Sequence, residues 1–235
     1  MCYLEARMNV IDLGILEYHA AWQRQTEAHE LVQAGGEETL FLVEHPPVIT
    51  LGRQADKALA NVLFSQDQLD SRGVSVVESD RGGNVTFHGP GQLVVYPIIR
   101  LNDYRLSVGA YVRFLEDVVI ETLSHFGIAG ELDKDNIGVW TRDEKRDEKR
   151  DEDAPAAKIC ALGVRVKRGV SLHGLALNVS TDLKFFQMIV PCGINLPVTS
   201  IRQILDARAP TMDEVKVKIV EIFRMKQQKI RWPGA

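Results

Sequence analysis

Between Arg81 and Gln92 the chain reads Arg81-Gly82-Gly83-Asn84-Val85-Thr86-Phe87-His88-Gly89-Pro90-Gly91-Gln92, then runs into the strand-like stretch Leu93-Val94-Val95-Tyr96-Pro97-Ile98-Ile99. Glycine lets the backbone take positive φ and lets a ligand approach the main chain. Arg81 and His88 add a fixed cation and a group that donates or accepts. Such a stretch is either a glycine-rich hairpin or the wall of a binding site. It is not the dinucleotide fingerprint, because no Gly-x-Gly-x-x-Gly opens a helix here.

A chain of 235 residues buries a sizeable core, and its 45% apolar and 26% charged residues are ordinary for a globular protein. The net charge of −4 argues against a nucleic-acid surface, which needs a basic face. No apolar run is long enough to span a bilayer, and the first residues lack the apolar core of a secretory signal. Cys2, Cys160 and Cys192 lack metal-ligand spacing and read as reduced thiols of a cytoplasmic protein.

Strand and helix periods alternate along the chain. Residues 9–13, 39–43, 48–51 and 74–78 read as strands, with a turn at His45-Pro46-Pro47. Residues 17–33 read as a helix with Tyr18, Ala21, Trp22, Gln25, Ala28, Leu31 and Val32 on one face, ended by Gly35-Gly36. A short helix is expected over 66–72. A longer one starts after Ser107 as N-cap and stops at Gly127. Residues 159–166 and 171–179 form a predicted hairpin, and Thr211 to Glu214 opens a last helix with a capping box. The order suggests an α+β fold, one mixed sheet flanked by helices in a single domain spanning 1–235. The tandem run Asp143-Glu144-Lys145-Arg146, Asp147-Glu148-Lys149-Arg150 has no apolar residue and reads as a charged loop inserted over about 142–156.

Cys192, between Pro191 and Gly193, looks presented by a loop: a nucleophile or a buried structural thiol. Lys158 opens the strand containing Cys160. A lysine there snorkels to solvent unless it meets a thiol, whose pKa it would lower. Cys160 lies in an apolar run and reads as mostly structural. His88 and His173 each precede glycine at a strand edge and either line a site or are satisfied in the core. His45 reads as a turn residue.

Taken together, the blocks Glu44 to Arg53, Arg81 to Pro97, Gly138-Val139-Trp140, Lys158 to Arg165, Arg168 to Val179, Pro191 to Ile194 and Thr199-Ser200 resemble the lipoyl(octanoyl) transferases. They span nearly the whole chain in order. The resemblance implies the mixed-sheet fold of the biotin and lipoate protein ligases. It implies transfer of octanoate from octanoyl-acyl carrier protein to a lysine of a lipoyl domain, in 2-oxoacid dehydrogenase complexes and the glycine cleavage H protein. No cofactor, metal, nucleic acid or membrane is implied. Cys192 matches the acyl-thioester nucleophile and Lys158 the lysine that lowers its pKa. The substrate-binding segments match Arg81, Gly82, Gly83 and Asn84 with Val85, Thr86, Phe87 and His88; then Ala161, Leu162 and Gly163; then Gly174, Leu175 and Ala176. Arg81 is expected to orient the carbonyl or pantetheine end. Two departures stand out. The charged repeat is longer than the usual connection, and Cys160 stands where a small residue is usual, which makes it a minor alternative nucleophile. The rival readings are an ATP-dependent ligase of the same fold, a non-catalytic binding module, and a cysteine hydrolase with a histidine base.

Overall fold

Alternating apolar residues in the central strands need cover on both faces, and the fold supplies it. The computed structural model describes residues 8–53, 55–142, 156–190 and 197–231. Its strands are β1 (Asn9–Ile15), β2 (Thr39–Glu44), β3 (Val48–Leu51), β4 (Ser75–Glu78), β5 (Val85–His88), β6 (Gln92–Ile98), β7 (Gly130–Leu132), β8 (Val139–Thr141), β9 (Ala157–Lys167) and β10 (Val170–Asn178). Its α-helices are α1 (Tyr18–Gln33), α2 (Ala55–Leu59), α3 (Gln66–Asp70), α4 (Val108–His125), α5 (Ile201–Leu205) and α6 (Met212–Ile230). Seven strands form a mixed sheet in the order β1-β2-β6-β10-β9-β8-β7, in which only β1 and β2 run parallel. To the expected mixed sheet the structure adds a second one of three strands, β4-β3-β5.

The strand period of two sorts the side chains. Leu40, Leu42, Leu93, Val95, Leu175 and Leu177 join the core under α4 and α6. Phe41, Val43, Val94, Tyr96 and Ala176 join the core under α1. Local signals behave as the sequence predicts. Ser107 Oγ accepts Ala110 N–H, Gly127 has φ +78°, and Thr211 and Glu214 form the capping box. The β9–β10 hairpin turns at Arg168 (φ +51°) and Gly169 (φ +79°).

Three expectations change. Leu31 is exposed, and His29 takes its place on the buried face, its Nε2–H donating to Lys167 O (3.1 Å). His45 is not a surface turn residue but fully buried. Its Nδ1–H donates to Leu16 O (2.7 Å), and its Nε2 accepts from Tyr96 O–H (2.9 Å). Glu17, expected as the first helical residue, is the N-cap, its carboxylate accepting from His19 and Ala20 N–H. Residues 143–155 of the charged insertion lie outside the described residues.

Candidate active site

β8 pairs with β9 only from Ala157 to Cys160, which leaves the rest of that edge of β9 to face a cavity. The cavity has a volume of about 460 Å³ and a mostly apolar lining, within the range of small-molecule sites. The loop that leads into β5 forms an adjoining part of the wall, tied onto β9 by Gly82 N–H donating to Val164 O (3.1 Å). Of the sequence-predicted segments, Arg81 to Thr86, His88, Ala161 to Gly163 and Gly174 to Ala176 all line it, as does Lys158. Phe87 does not. On β5 it points away from its neighbours into the core of the small sheet, stacked on Phe185 with ring centroids 4.8 Å apart.

Two of the lining glycines stand where neighbouring backbone closes in. A Cβ on Gly163 would lie 2.8 Å from Gly82 O, and one on Gly174 would lie 2.1 Å from Val95 O. Their missing side chains let neighbouring backbone close up and shape the cavity. Arg81 is likewise a structural pin. It is buried, with Nε donating to Thr50 Oγ1 (3.0 Å), one terminal nitrogen to Thr50 O (2.6 Å) and Asn84 O (2.8 Å), and the other to Gly82 O (3.0 Å). These bonds hold the glycine-rich loop in one conformation.

Lys158 stands at the other end. Its Nζ donates to Ile137 O (3.1 Å) and lies 4.5 Å above the Trp140 ring, a cation–π contact. Ile137 O is presented by a tight loop in which Asp133 Oδ1 accepts Asp135 and Asn136 N–H. Gly138 (φ +139°) lies against the lysine side chain, and its N–H donates to the buried carboxylate of Glu116 (3.1 Å). The backbone of Lys158 is bonded on both sides to residues 197–199, with which it forms an isolated parallel bridge at Val198. Lys158 N–H donates to Pro197 O (2.8 Å), and Thr199 N–H donates to Lys158 O (2.9 Å). At the preceding anchor, Val190 N–H donates to Asn61 O (2.8 Å). Cys192 falls between those anchors and lies outside the described residues.

Cys160 does not reach the cavity. Two steps on β9 (Lys158 to Cys160) oppose one on β8 (Trp140 to Val139), so strand alternation breaks between them. Lys158 turns to Trp140, whereas Cys160 is fully buried in the core under α4. Burial pushes its thiol pKa far up, against smaller lowering from the Ala176 backbone and Lys158. A neutral, enclosed thiol is inert, so Cys160 is removed as an alternative nucleophile.

The inner end is a cluster of neutral rings. Burial depresses His45 to a pKa of about 4 and His173, with help from the Arg81 and Arg165 cations, to about 3. Burial likewise holds His88 well below its ordinary value, with His45 and Arg81 adding to the effect. His173 Nε2–H donates to Asp80 Oδ1 (2.7 Å), and Asp80 also pairs with Arg165. His173 pairs with Val164, six residues along β9 from Lys158, or roughly 20 Å at the usual rise. That separation disfavours it as a base beside Lys158. The sequence reading missed Tyr18, Gln92, Tyr96 and Asn178, which also line the cavity.

The sequence matches the lipoyl protein ligase A/B catalytic domain over residues 17–224. It is 45% identical over 216 residues to an octanoyltransferase of Chloroflexus aggregans, covering 91% of each chain. It is 43% identical over 229 residues to an octanoyltransferase of Bacteroides thetaiotaomicron, covering 94% of this chain and 96% of that one. The chain belongs to the octanoyltransferase family. It is an acyltransferase on the fold of the lipoate ligases. A putative lipoate protein ligase from T. acidophilum with bound lipoic acid superposes with a TM-score of 0.70 at 17% identity, covering 94% of this chain and 86% of that one. A biotin protein ligase from Aquifex aeolicus in complex with biotin and ATP gives a TM-score of 0.53 at 13% identity, covering 95% and 72%. Such low identities speak to the shared fold alone. Among the described residues no group of three metal-ligating side chains occurs, and no helix is long and apolar enough to cross a membrane.

Proposed function

We propose that this octanoyltransferase moves an octanoyl group from octanoyl-acyl carrier protein to one lysine of a lipoyl domain, through a thioester on Cys192. Lipoyl domains of 2-oxoacid dehydrogenase complexes and the glycine cleavage H protein are the acceptors, and the whole chain acts as one catalytic domain. One observation carries the reading: Lys158, lining an apolar cavity, is bonded through its backbone to Pro197 and Thr199, directly after the segment of sequence that contains Cys192.

The steps follow from the chemistry. The Lys158 ammonium favours the Cys192 thiolate. The thiolate attacks the donor carbonyl, the carbon–sulfur bond to the carrier breaks, and the carrier thiolate leaves and takes a proton. One thioester replaces another of similar energy, so no nucleotide is consumed. The neutral acceptor amine then attacks the enzyme thioester, loses its proton and expels Cys192 as thiolate. In both tetrahedral states the Lys158 N–H groups not bound to Ile137 O are available to the oxyanion. The apolar wall of Val94, Leu162, Leu175 and Ala176 takes the hydrocarbon chain, each methylene contributing about 0.8 kcal/mol.

The test is transfer of octanoyl from octanoyl-acyl carrier protein to an isolated lipoyl domain, without and with ATP and free octanoate. The proposal expects transfer without ATP to a single lysine, mapped by peptide mass. Product formed only from free octanoate and ATP would make the protein a ligase instead.

A further inference from the structure

We propose that Gln92 and Asn178 are positioning residues, links in a one-way hydrogen-bond chain that sets Thr199 against Lys158. The proposal rests on the Cys192–Lys158 reading above. The chain starts at Arg81 Nε, which can only donate. Thr50 Oγ1 accepts it (3.0 Å), leaving the threonine O–H for His88 Nε2 (3.4 Å). His88 then carries its proton on Nδ1 and donates to Gln92 Oε1 (2.7 Å). Gln92 Nε2 donates to Asn178 Oδ1 (2.9 Å), and Asn178 Nδ2 donates to Thr199 O (3.0 Å). Thr199 N–H closes the chain on Lys158 O (2.9 Å). Reversing either amide would set donor against donor or acceptor against acceptor, so each link fixes the next.

Gln92 and Asn178 face each other across β6 and β10 and both line the cavity. They are 1% and 4% exposed. Buried amides cost free energy where apolar side chains would fill the same space, and each nitrogen and oxygen of these two has a hydrogen-bond partner. What they add is direction: they join the loop pinned by Arg81 to Thr199, in the segment that follows Cys192 in sequence. The catalytic geometry is thereby set from both walls of the cavity. Thr199 is the residue they hold, and neither amide is assigned contact with the reacting atoms.

The experiment uses the full chain with Asn178→Asp and Gln92→Glu, near-isosteric changes that keep the acceptor and remove the forward donor. Octanoyl transfer from octanoyl-acyl carrier protein to a lipoyl domain is followed against pH. Expected is a fall in kcat of roughly tenfold to a hundredfold, the range for a small misplacement of reacting groups, with the donor KM within about twofold. In Asn178→Asp the loss relative to wild type shrinks as pH falls, because a protonated carboxyl regains a donor for Thr199 O. Combining Asn178→Asp with Lys158→Ala costs little beyond Lys158→Ala alone. Variants that lose only thermal stability, with wild-type kcat and pH profile per folded molecule, overturn the proposal while leaving Cys192 in place. A wild-type protein that forms no octanoyl adduct on Cys192 brings down the underlying reading and the proposal with it.

Discussion

Arg81 shows how a residue of functional appearance acquires a structural role. Its guanidinium donates to the carbonyls of Thr50, Gly82 and Asn84 and to Thr50 Oγ1, so removing it takes buried donors away from Thr50 and unties the loop. Arg81→Met is expected to cost about 3 kcal/mol, read as a lower urea midpoint at unchanged slope. The histidines give a pH signature. His45 titrates near the ordinary 6.5 when unfolded and at about 4 when folded. A depressed folded pKa means the unfolded state binds the proton first. The contribution is therefore intact above about pH 6.5 and lost as pH falls toward about 4. His173, at about 3 when folded, extends the loss lower. Unfolding midpoints measured across that window should fall steeply in wild type and less steeply in His45→Asn. Equal slopes would show that His45 is not buried neutral.

Among the elements, the loop from Asp133 to Ile137 has the clearest consequence. Asp133 closes it by accepting two backbone N–H groups, and the loop presents Ile137 O to Lys158. Asp133→Ala should lower kcat severalfold with a change in melting temperature of a few degrees at most, because the turn is exposed while its carbonyl orients the lysine. At Gly163 the missing side chain lets β9 meet Gly82, so Gly163→Ala should narrow the cavity and cost about 1–3 kcal/mol by overpacking, measured by chemical denaturation. Elements with strong local signals were legible in the sequence. The β9–β10 hairpin follows from Arg168-Gly169 between apolar runs, and α6 from its capping box. His45 was misread because the following prolines signal a turn, and nothing local reveals the pocket made by Leu16 and Tyr96. Cys160 stands out in the sequence as a minor alternative nucleophile because a small residue is usual there, and the irregularity in the β8–β9 pairing, with its side chain in the core, removes that option.

At the scale of the molecule, the cavity gathers residues from Tyr18 to Val198. Its glycine-rich wall and its two strand segments were legible because each carries a contiguous motif. Tyr18, Gln92 and Asn178 were not, because the meaning of each comes from a partner distant in sequence: Ser79 for Tyr18, Asn178 for Gln92 and Thr199 for Asn178. An apolar cavity that recognises its substrate chiefly by burial predicts a graded response to chain length. Each methylene removed from an octanoyl donor should lower kcat/KM roughly fourfold, from about 0.8 kcal/mol apiece. A flat series from hexanoyl to octanoyl would contradict burial of the chain.

The account turns on Cys192 acting beside Lys158, and intact-mass spectrometry tests this directly. Wild type, Cys192→Ser and Lys158→Ala are each mixed with octanoyl-acyl carrier protein and sampled over time. The account predicts one octanoyl adduct on wild type, none on Cys192→Ser, slow formation on Lys158→Ala, and discharge on adding a lipoyl domain. An adduct that persists in Cys192→Ser, or its absence from wild type, would contradict it.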